Sequence, residues 1–435
     1  MLSIIHISNN DINGGAARAA YRIHRCLKEN KKDSEVNSLM RVIKKYSDDP
    51  SVKDFTFNRN SLLWKRLQPR ISANIKKSFQ TKNQSAHNIA FPNTGILKEL
   101  NNFEVESNRV IFHLHWIGDN TISIEEIAKL NKTTFWTLHD QWPFCGAEHY
   151  TYPPIDNNGI YFEDNRYQIS YSKSSRAPHE KGFDINRWTW KRKKKSWKNP
   201  INIIATSNWM AECAKKSSLM SDWPIHLIPY PINLKEWFPV EKIVAREILR
   251  IPVNKKIILF GAINGTRDIR KGSIFLEKAL SHLNESYKNP SIKKNIKILF
   301  FGELSEKKYI HNFPIEFLGS FNDNISLRLL YSAADVMVVP SIQEAFGQTA
   351  SEAHACGTPV VAFRIGGLID IISHKKTGYL AQPFEAYSLA KGIEWVIEDE
   401  ERNKKLSIEA RIKAEKEWDS EIIAQKYIKA YYAAN

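Results

Sequence analysis

Cysteine is scarce in this chain and widely scattered. Four residues in 435, Cys26, Cys145, Cys213 and Cys356, form no C-x-x-C pair. That spacing argues against a disulfide framework and against a zinc site. No apolar run approaches the length of a membrane span. The short apolar start, Met1 to Ser8, lacks a basic flank and a cleavage site, so the expected location is the cytoplasm, with the inner membrane face as a peripheral option. No Asp-x-Asp pair stands where an enzyme would chelate a metal–diphosphate. No internal repeat of short period is present.

Acidic residues are in deficit. Lys and Arg number 63 against 47 Asp and Glu, a formal net charge of +16. Such a surplus favours anionic partners: nucleic acid, an anionic membrane face or phosphate-bearing substrates. Part of it is concentrated in Trp188-Thr189-Trp190-Lys191-Arg192-Lys193-Lys194-Lys195-Ser196-Trp197. One reading is a patch resting on acidic headgroups or a lipid phosphate. The plainer one is a surface helix whose tryptophans pack inward. No nucleic-acid signature accompanies the charge.

Hydrophobic residues at 42% and charged residues at 25% suit a globular enzyme, and 435 residues suit two domains. Strand-like and helix-like segments alternate throughout, the pattern of parallel sheets covered by helices. Leu2 to Ile7, Val110 to His115, Thr133 to Leu138, Ile201 to Thr206 and His226 to Ile228 read as one set of strands. Gly14-Gly15 marks a turn before a helix from Ala16 to Lys28. Residues 58–88 read as a polar helix-loop insertion. Prolines 229, 231 and 239 mark a stiff connector. A second set runs through Lys256 to Gly261, Ile296 to Gly302, Ile315 to Gly319, Val336 to Val339 and Pro359 to Ala362. One long amphipathic helix is expected from about Glu409 to Tyr432. The expected domains are 1–235, 236–412 and a terminal helix, 413–435.

The most informative stretch runs from Pro340 to Glu352. It places Glu344 and Glu352 eight positions apart around Gly347, one on the loop leaving a strand and one in the next helix. The backbone N–H groups of Gly347, Gln348 and Thr349 would point out of the helix N-terminus, a place suited to phosphate. Carboxylates suit sugar hydroxyls. The plain alternative is two ordinary acidic residues, one stabilised by the helix dipole.

Five motifs in order resemble the GT-B glycosyltransferases of the large retaining family 4. They are Gly14-Gly15-Ala16-Ala17-Arg18, Trp136-Thr137-Leu138-His139-Asp140, Ile228-Pro229 through Phe238-Pro239, Arg270-Lys271-Gly272, and Glu344 through Glu352. The resemblance implies an α/β fold of two doubly wound Rossmann-like domains facing across a cleft, with a C-terminal helix crossing back to the first. It implies donor binding by Gly15, Lys271, Gly319, Phe346, Gly347, Gln348, Thr349 and Glu352. Glu352 would accept from the nucleotide ribose, Glu344 would face the donor sugar, and Lys271 would grip the diphosphate. Many relatives carry a second cation just after the first glycine of the Lys271 loop. This chain has Ala262 there, so Arg267, in preference to Arg270, is expected to take over. His139 is placed beside the donor sugar, and Glu344, His139 and Lys271 form the expected catalytic set. His113, His115 and Asp140 are the acceptor-side candidates. A His-x-His strand also suggests metal, but no cysteine or third histidine is expected nearby, so neither metal nor cofactor is expected.

The expected partners are a UDP-, GDP- or ADP-sugar donor, a saccharide or lipid-linked saccharide acceptor and an anionic membrane surface, with no nucleic acid. The expected reaction is sugar transfer with retention, in cell-surface polysaccharide or glycolipid assembly. A nucleotide-sugar epimerase or sugar phosphorylase on the same fold is the alternative, and a non-catalytic anion- or nucleic-acid-binding protein the alternative outside enzymes.

Overall fold

The computed structural model describes residues 2–30, 36–56, 59–79, 88–91, 94–102, 109–130, 133–151, 165–176, 182–261, 268–287, 293–302, 304–305, 309–321 and 323–434. The chain forms two compact units. One comprises Met1–Pro229 with Ile423–Asn435, the other Tyr230–Ile422.

The first unit is built on β1 (Leu2–Asn10), β2 (Val36–Lys44), β3 (Val52–Asp54), β4 (Val110–Leu114), β5 (Thr134–Leu138), β6 (Asn202–Ala205) and β7 (Ile225–Leu227). They lie in the order β3-β2-β1-β4-β5-β6-β7, every pair parallel. A parallel sheet is covered on both faces, so its strands read as near-continuous apolar runs. The whole of β4 and β5 is buried accordingly. Helix Gly15–Lys28 turns Ala17, Ala20, Ile23 and Leu27 inward at helical spacing. The terminal helix completes this unit, burying Tyr427 and Tyr431 in it.

The second unit carries β8 (Lys256–Gly261), β9 (Ile296–Phe301), β10 (Tyr309–Ile310), β11 (Phe313–Phe317), β12 (Val336–Val339), β13 (Val360–Phe363) and β14 (Gly378–Ala381). Their order is β10-β11-β9-β8-β12-β13-β14, antiparallel only between β10 and β11. Both units are therefore Rossmann-like.

Two expectations change. The single helix from Glu409 to Tyr432 is instead two, Glu400–Glu417 and Ser420–Ala433. The break falls where Ile232 inserts between them: its N–H donates to Trp418 O at 2.8 Å and its carbonyl accepts from Ser420 N at 3.1 Å. Strand β2, Val-Asn-Ser-Leu-Met-Arg-Val-Ile-Lys, was not among the expected strands. Its polar residues interrupt the apolar run, yet it pairs with β1 over eight positions from Leu2↔Val36 to Asn10↔Lys44.

Candidate functional site

Doubly wound sheets bind ligands beyond the strand carboxyl ends, where the strand order reverses. In the second unit that point lies between β8 and β12. The loop after β8 ends in a short 3-10 turn, Ile269–Lys271, followed by left-handed Gly272. A Cβ on Gly272 would lie 1.8 Å from Pro340 O, so only glycine lets this loop sit against the one leaving β12. Ile342 N–H donates to Arg270 O at 2.8 Å across the same seam.

That approach brings the charges together. Lys271 Nζ donates to Glu344 Oε1 at 2.5 Å, Ser341 Oγ donates to the same oxygen at 3.0 Å, and Arg270 stands 3.5 Å from it. Burial alone would raise the Glu344 carboxyl, but Lys271 and then Arg270 outweigh it and hold the group below the usual carboxylate range. Burial lowers the Lys271 ammonium, and Glu344 offsets part of that. Arg270 also holds Asp268 at 3.2 Å.

Gly347, at φ 107°, begins helix Gln348–Ala355, which has no side-chain cap and no acidic residue in its first turn. Its outward N–H groups and dipole therefore favour an anion. Gln348 and Thr349 at this start are partly exposed. Glu352 is buried one turn in and accepts from Tyr331 Oη at 2.9 Å. A glycine pair after β13 supports the loop from behind: Gly367 N–H donates to Glu344 O at 2.9 Å, and a Cβ on Gly366 would lie 2.4 Å from that oxygen.

Phe346 packs inward. Its ring is buried against Tyr230 at 5.0 Å, so it anchors the loop from within. Gly319 is left-handed at φ 71°, and its carbonyl accepts from Gly302 N–H at 2.7 Å. Arg267 and Ala262 lie outside the described residues.

In the first unit the order reverses between β1 and β4. Gly15 opens the helix after β1, behind Gly14 at φ 99° with no capping side chain. His139 follows β5 and is nearly buried; burial, partly countered by Asp140, lowers its imidazole to about 4. Asp140 accepts from Trp142 N–H at 3.0 Å and Trp116 Nε1 at 3.2 Å and faces His149 Nδ1 at 2.8 Å. Burial would raise this carboxyl, but His149 and the hydrogen bonds hold it low.

The acceptor-side candidates His113 and His115 lie deep in the first sheet. Both are fully buried, and His113 is bonded to Tyr431 Oη at 2.6 Å and Thr137 Oγ1 at 2.7 Å. A third imidazole does stand beside them. His6 on β1 registers with His113 on β4, and one ring nitrogen of each of His6, His113 and His115 lies within 4.8 Å of the others. Those nitrogens are neutral by burial, as ligands must be. No carboxylate or thiol of the described residues joins the three to balance a dication.

The basic tryptophan run is not a continuous cationic face. Lys193 is buried and donates to the carbonyls of Trp142, Cys145 and Gly146. Arg192 is tied to Glu125 and to the carbonyls of Ile89 and Ala90. Trp190 and Trp197 face inward, leaving Lys191, Lys194 and Lys195 exposed. Among the described residues no helix is long and apolar enough to cross a membrane.

Sequence reasoning missed Tyr331, Ser341 and Gly366-Gly367. The glycine pair was visible as a second turn signal after a strand. The other two carry no local pattern.

Comparison with known proteins places the second unit. Residues 242–413, within the second unit, match the family model described as Glycosyl transferases group 1. An uncharacterized glycosyltransferase of Methanocaldococcus jannaschii is 34% identical over 178 residues, 39% of this chain and 42% of the relative. The chain thus aligns with well under half the length of that curated relative. Among solved structures, sucrose-phosphate synthase from Thermosynechococcus elongatus aligns over 100% of both chains with a TM-score of 0.65 at 20% identity. Anabaena HepE in complex with UDP-glucose does so with a TM-score of 0.62 at 14% identity. The fold is the GT-B fold of glycosyltransferases.

Proposed function

We propose, on the premise that the second unit is a group 1 glycosyl transferase domain, that this protein moves a sugar from a nucleoside diphosphate donor to an acceptor hydroxyl with retention of configuration. The observation that carries the reading is the Lys271–Glu344 pair at the strand-order reversal, beside an uncapped helix N-terminus. That grouping supplies a cation and oriented N–H groups for a diphosphate and a carboxylate for sugar hydroxyls.

The bond from the anomeric carbon to the diphosphate oxygen breaks as the bond to the acceptor oxygen forms on the same face. The acceptor proton passes to the departing phosphate oxygen. Lys271, Arg270 and the Gly347–Thr349 N–H groups meet the negative charge that grows on the leaving group, and Glu344 orients the donor sugar. Glu352 takes the ribose hydroxyls while Tyr331 holds its other face. His139 completes the proposed catalytic set. A UDP-sugar is the favoured donor, because the structurally similar HepE is solved with UDP-glucose. A saccharide or lipid-linked saccharide is the favoured acceptor, since the +16 charge draws phosphate-bearing molecules.

Thermal-shift measurement with UDP, GDP and ADP, followed by product analysis with the matching labelled sugar donor, tests this. One nucleotide at 100 times its Kd should stabilise the protein by about 2.7 kcal/mol, and Lys271→Ala should abolish that shift. Failure of every nucleoside diphosphate and its sugars to bind or turn over would overturn the reading.

A further inference from the structure

The first unit contains an unbroken line of three imidazoles, two of which the proposed reaction does not use. His6 Nδ1 lies 2.8 Å from His115 Nε2, and His115 Nδ1 lies 3.1 Å from His139 Nε2. His6 and His115 are buried to 0% and 1% exposure, and burial drives both well below the ordinary histidine range, so the line is neutral. Each neutral ring carries one N–H and one lone pair. Two adjacent nitrogens cannot both donate or both accept, so the rings must share one direction. Either every ring carries its proton at Nδ1, or every ring carries it at Nε2.

The inner end selects between them. His6 Nε2 is buried and has no hydrogen-bond partner. In the Nε2 arrangement it would be a buried N–H donating to nothing. In the Nδ1 arrangement it is a bare lone pair. A buried N–H left without an acceptor is among the rarest defects in folded proteins, and a lone pair without a donor is better tolerated. His6 Nδ1–H therefore donates to His115 Nε2, and His115 Nδ1–H donates to His139 Nε2.

We propose that His6 and His115 are positioning residues that lock His139 as the Nδ1–H tautomer, making it a hydrogen-bond donor and not a proton acceptor at the face turned away from His115. This deepens the transferase reading and rests on it for one consequence: His139 would not deprotonate the acceptor. That assignment agrees with a reaction in which the departing phosphate takes the acceptor proton. His113 stacks on His115 with ring centres 4.4 Å apart but is bonded to two hydroxyls, so it braces the line without joining it.

The test is long-range proton–nitrogen NMR on protein labelled with 15N-histidine, with His139 assigned by its loss in His139→Gln. The expected pattern is Nδ1–H for both His115 and His139. His6→Ala removes the first donor and should release His139 toward the Nε2–H form, while His6→Asn, whose amide N–H2 replaces Nδ1–H, should restore the wild-type pattern. The melting temperature of each variant is recorded alongside, so a variant that does not fold is replaced by its counterpart at His115. An Nε2–H His139 in the wild type, or a tautomer unmoved by His6→Ala, would overturn the inference. So would stoichiometric metal in the purified protein that is lost in His6→Ala, because a metal-bound nitrogen cannot take part in the line. Absence of transferase activity would sink the functional reading alone, since the tautomer is read without turnover.

Discussion

Lys271 Nζ and Glu344 Oε1 lie 2.5 Å apart although 73 positions separate the residues in the chain. The pair holds a carboxylate and a cation ready at the end of β8 and β12. Its two members do different work, and substitution separates them. Glu344→Gln keeps the volume and removes the charge that competes for Lys271. Nucleoside diphosphate affinity should hold or rise by calorimetry, while turnover falls by about 100-fold or more. Lys271→Met should weaken nucleotide binding and cost about 3 kcal/mol of stability, because it leaves the nearly buried Glu344 charge under-compensated. Equal loss of binding in both variants would contradict this division.

Gly272 and Gly14 both have positive φ, at 69° and 99°, but only Gly272 is crowded. Alanine at position 272 would collide with Pro340 O, whereas a Cβ at position 14 meets nothing within 4 Å. Gly272→Ala should cost more than about 3 kcal/mol in denaturant unfolding and abolish donor binding. Gly14→Ala, at φ 99° and ψ 163°, should cost only the backbone strain of about 1–3 kcal/mol.

Lys193 sits under the segment that follows His139 and Asp140, its ammonium 3.7 Å from the centre of the Trp142 ring. Burial lowers it to about 7. Lys193→Met fills the space but leaves three carbonyls without their donor, at an expected cost of about 2–4 kcal/mol. Lys194→Met, on the exposed face of the same helix, should change the unfolding free energy by less than about 0.5 kcal/mol.

Acid should unfold the first unit before the second. His24 and His139 are lowered to about 4 and His113 to about 3, with His6 and His115 further down, all chiefly by burial. Between those values and 6.5 the unfolded chain binds more protons than the folded one. Stability is therefore present above pH 6.5 and falls as pH drops, at up to about 1.4 kcal/mol per pH unit for each histidine. Among the described residues the second unit has one fully buried histidine, His354. Tryptophan fluorescence and proteolysis between pH 7 and pH 4.5 should show the first unit opening while the second stays protected. Simultaneous loss of both would contradict it.

Much of this architecture was written locally. The apolar runs of β1, β4, β5, β8, β9 and β12 announce buried parallel strands because a covered sheet needs apolar residues on both faces. Glu344, Gly347 and Glu352 lie within one strand-loop-helix unit, so their spacing alone puts two carboxylates around a helix start. Edge strands β3 and β10 have three and two residues, and their pattern is too brief to read.

What only the tertiary structure decided are the long-range pairings. The sequence shows His113 and His115 as a His-x-His strand, but not that β1 lies beside β4 and brings His6 to them. It shows five basic residues in a row, but not that Lys193 is buried under three carbonyls. Strand periodicity is a property of neighbouring residues and survives in the sequence. The order in which strands lie side by side is set by burial across the whole sheet, and that order determines which charges and which imidazoles meet.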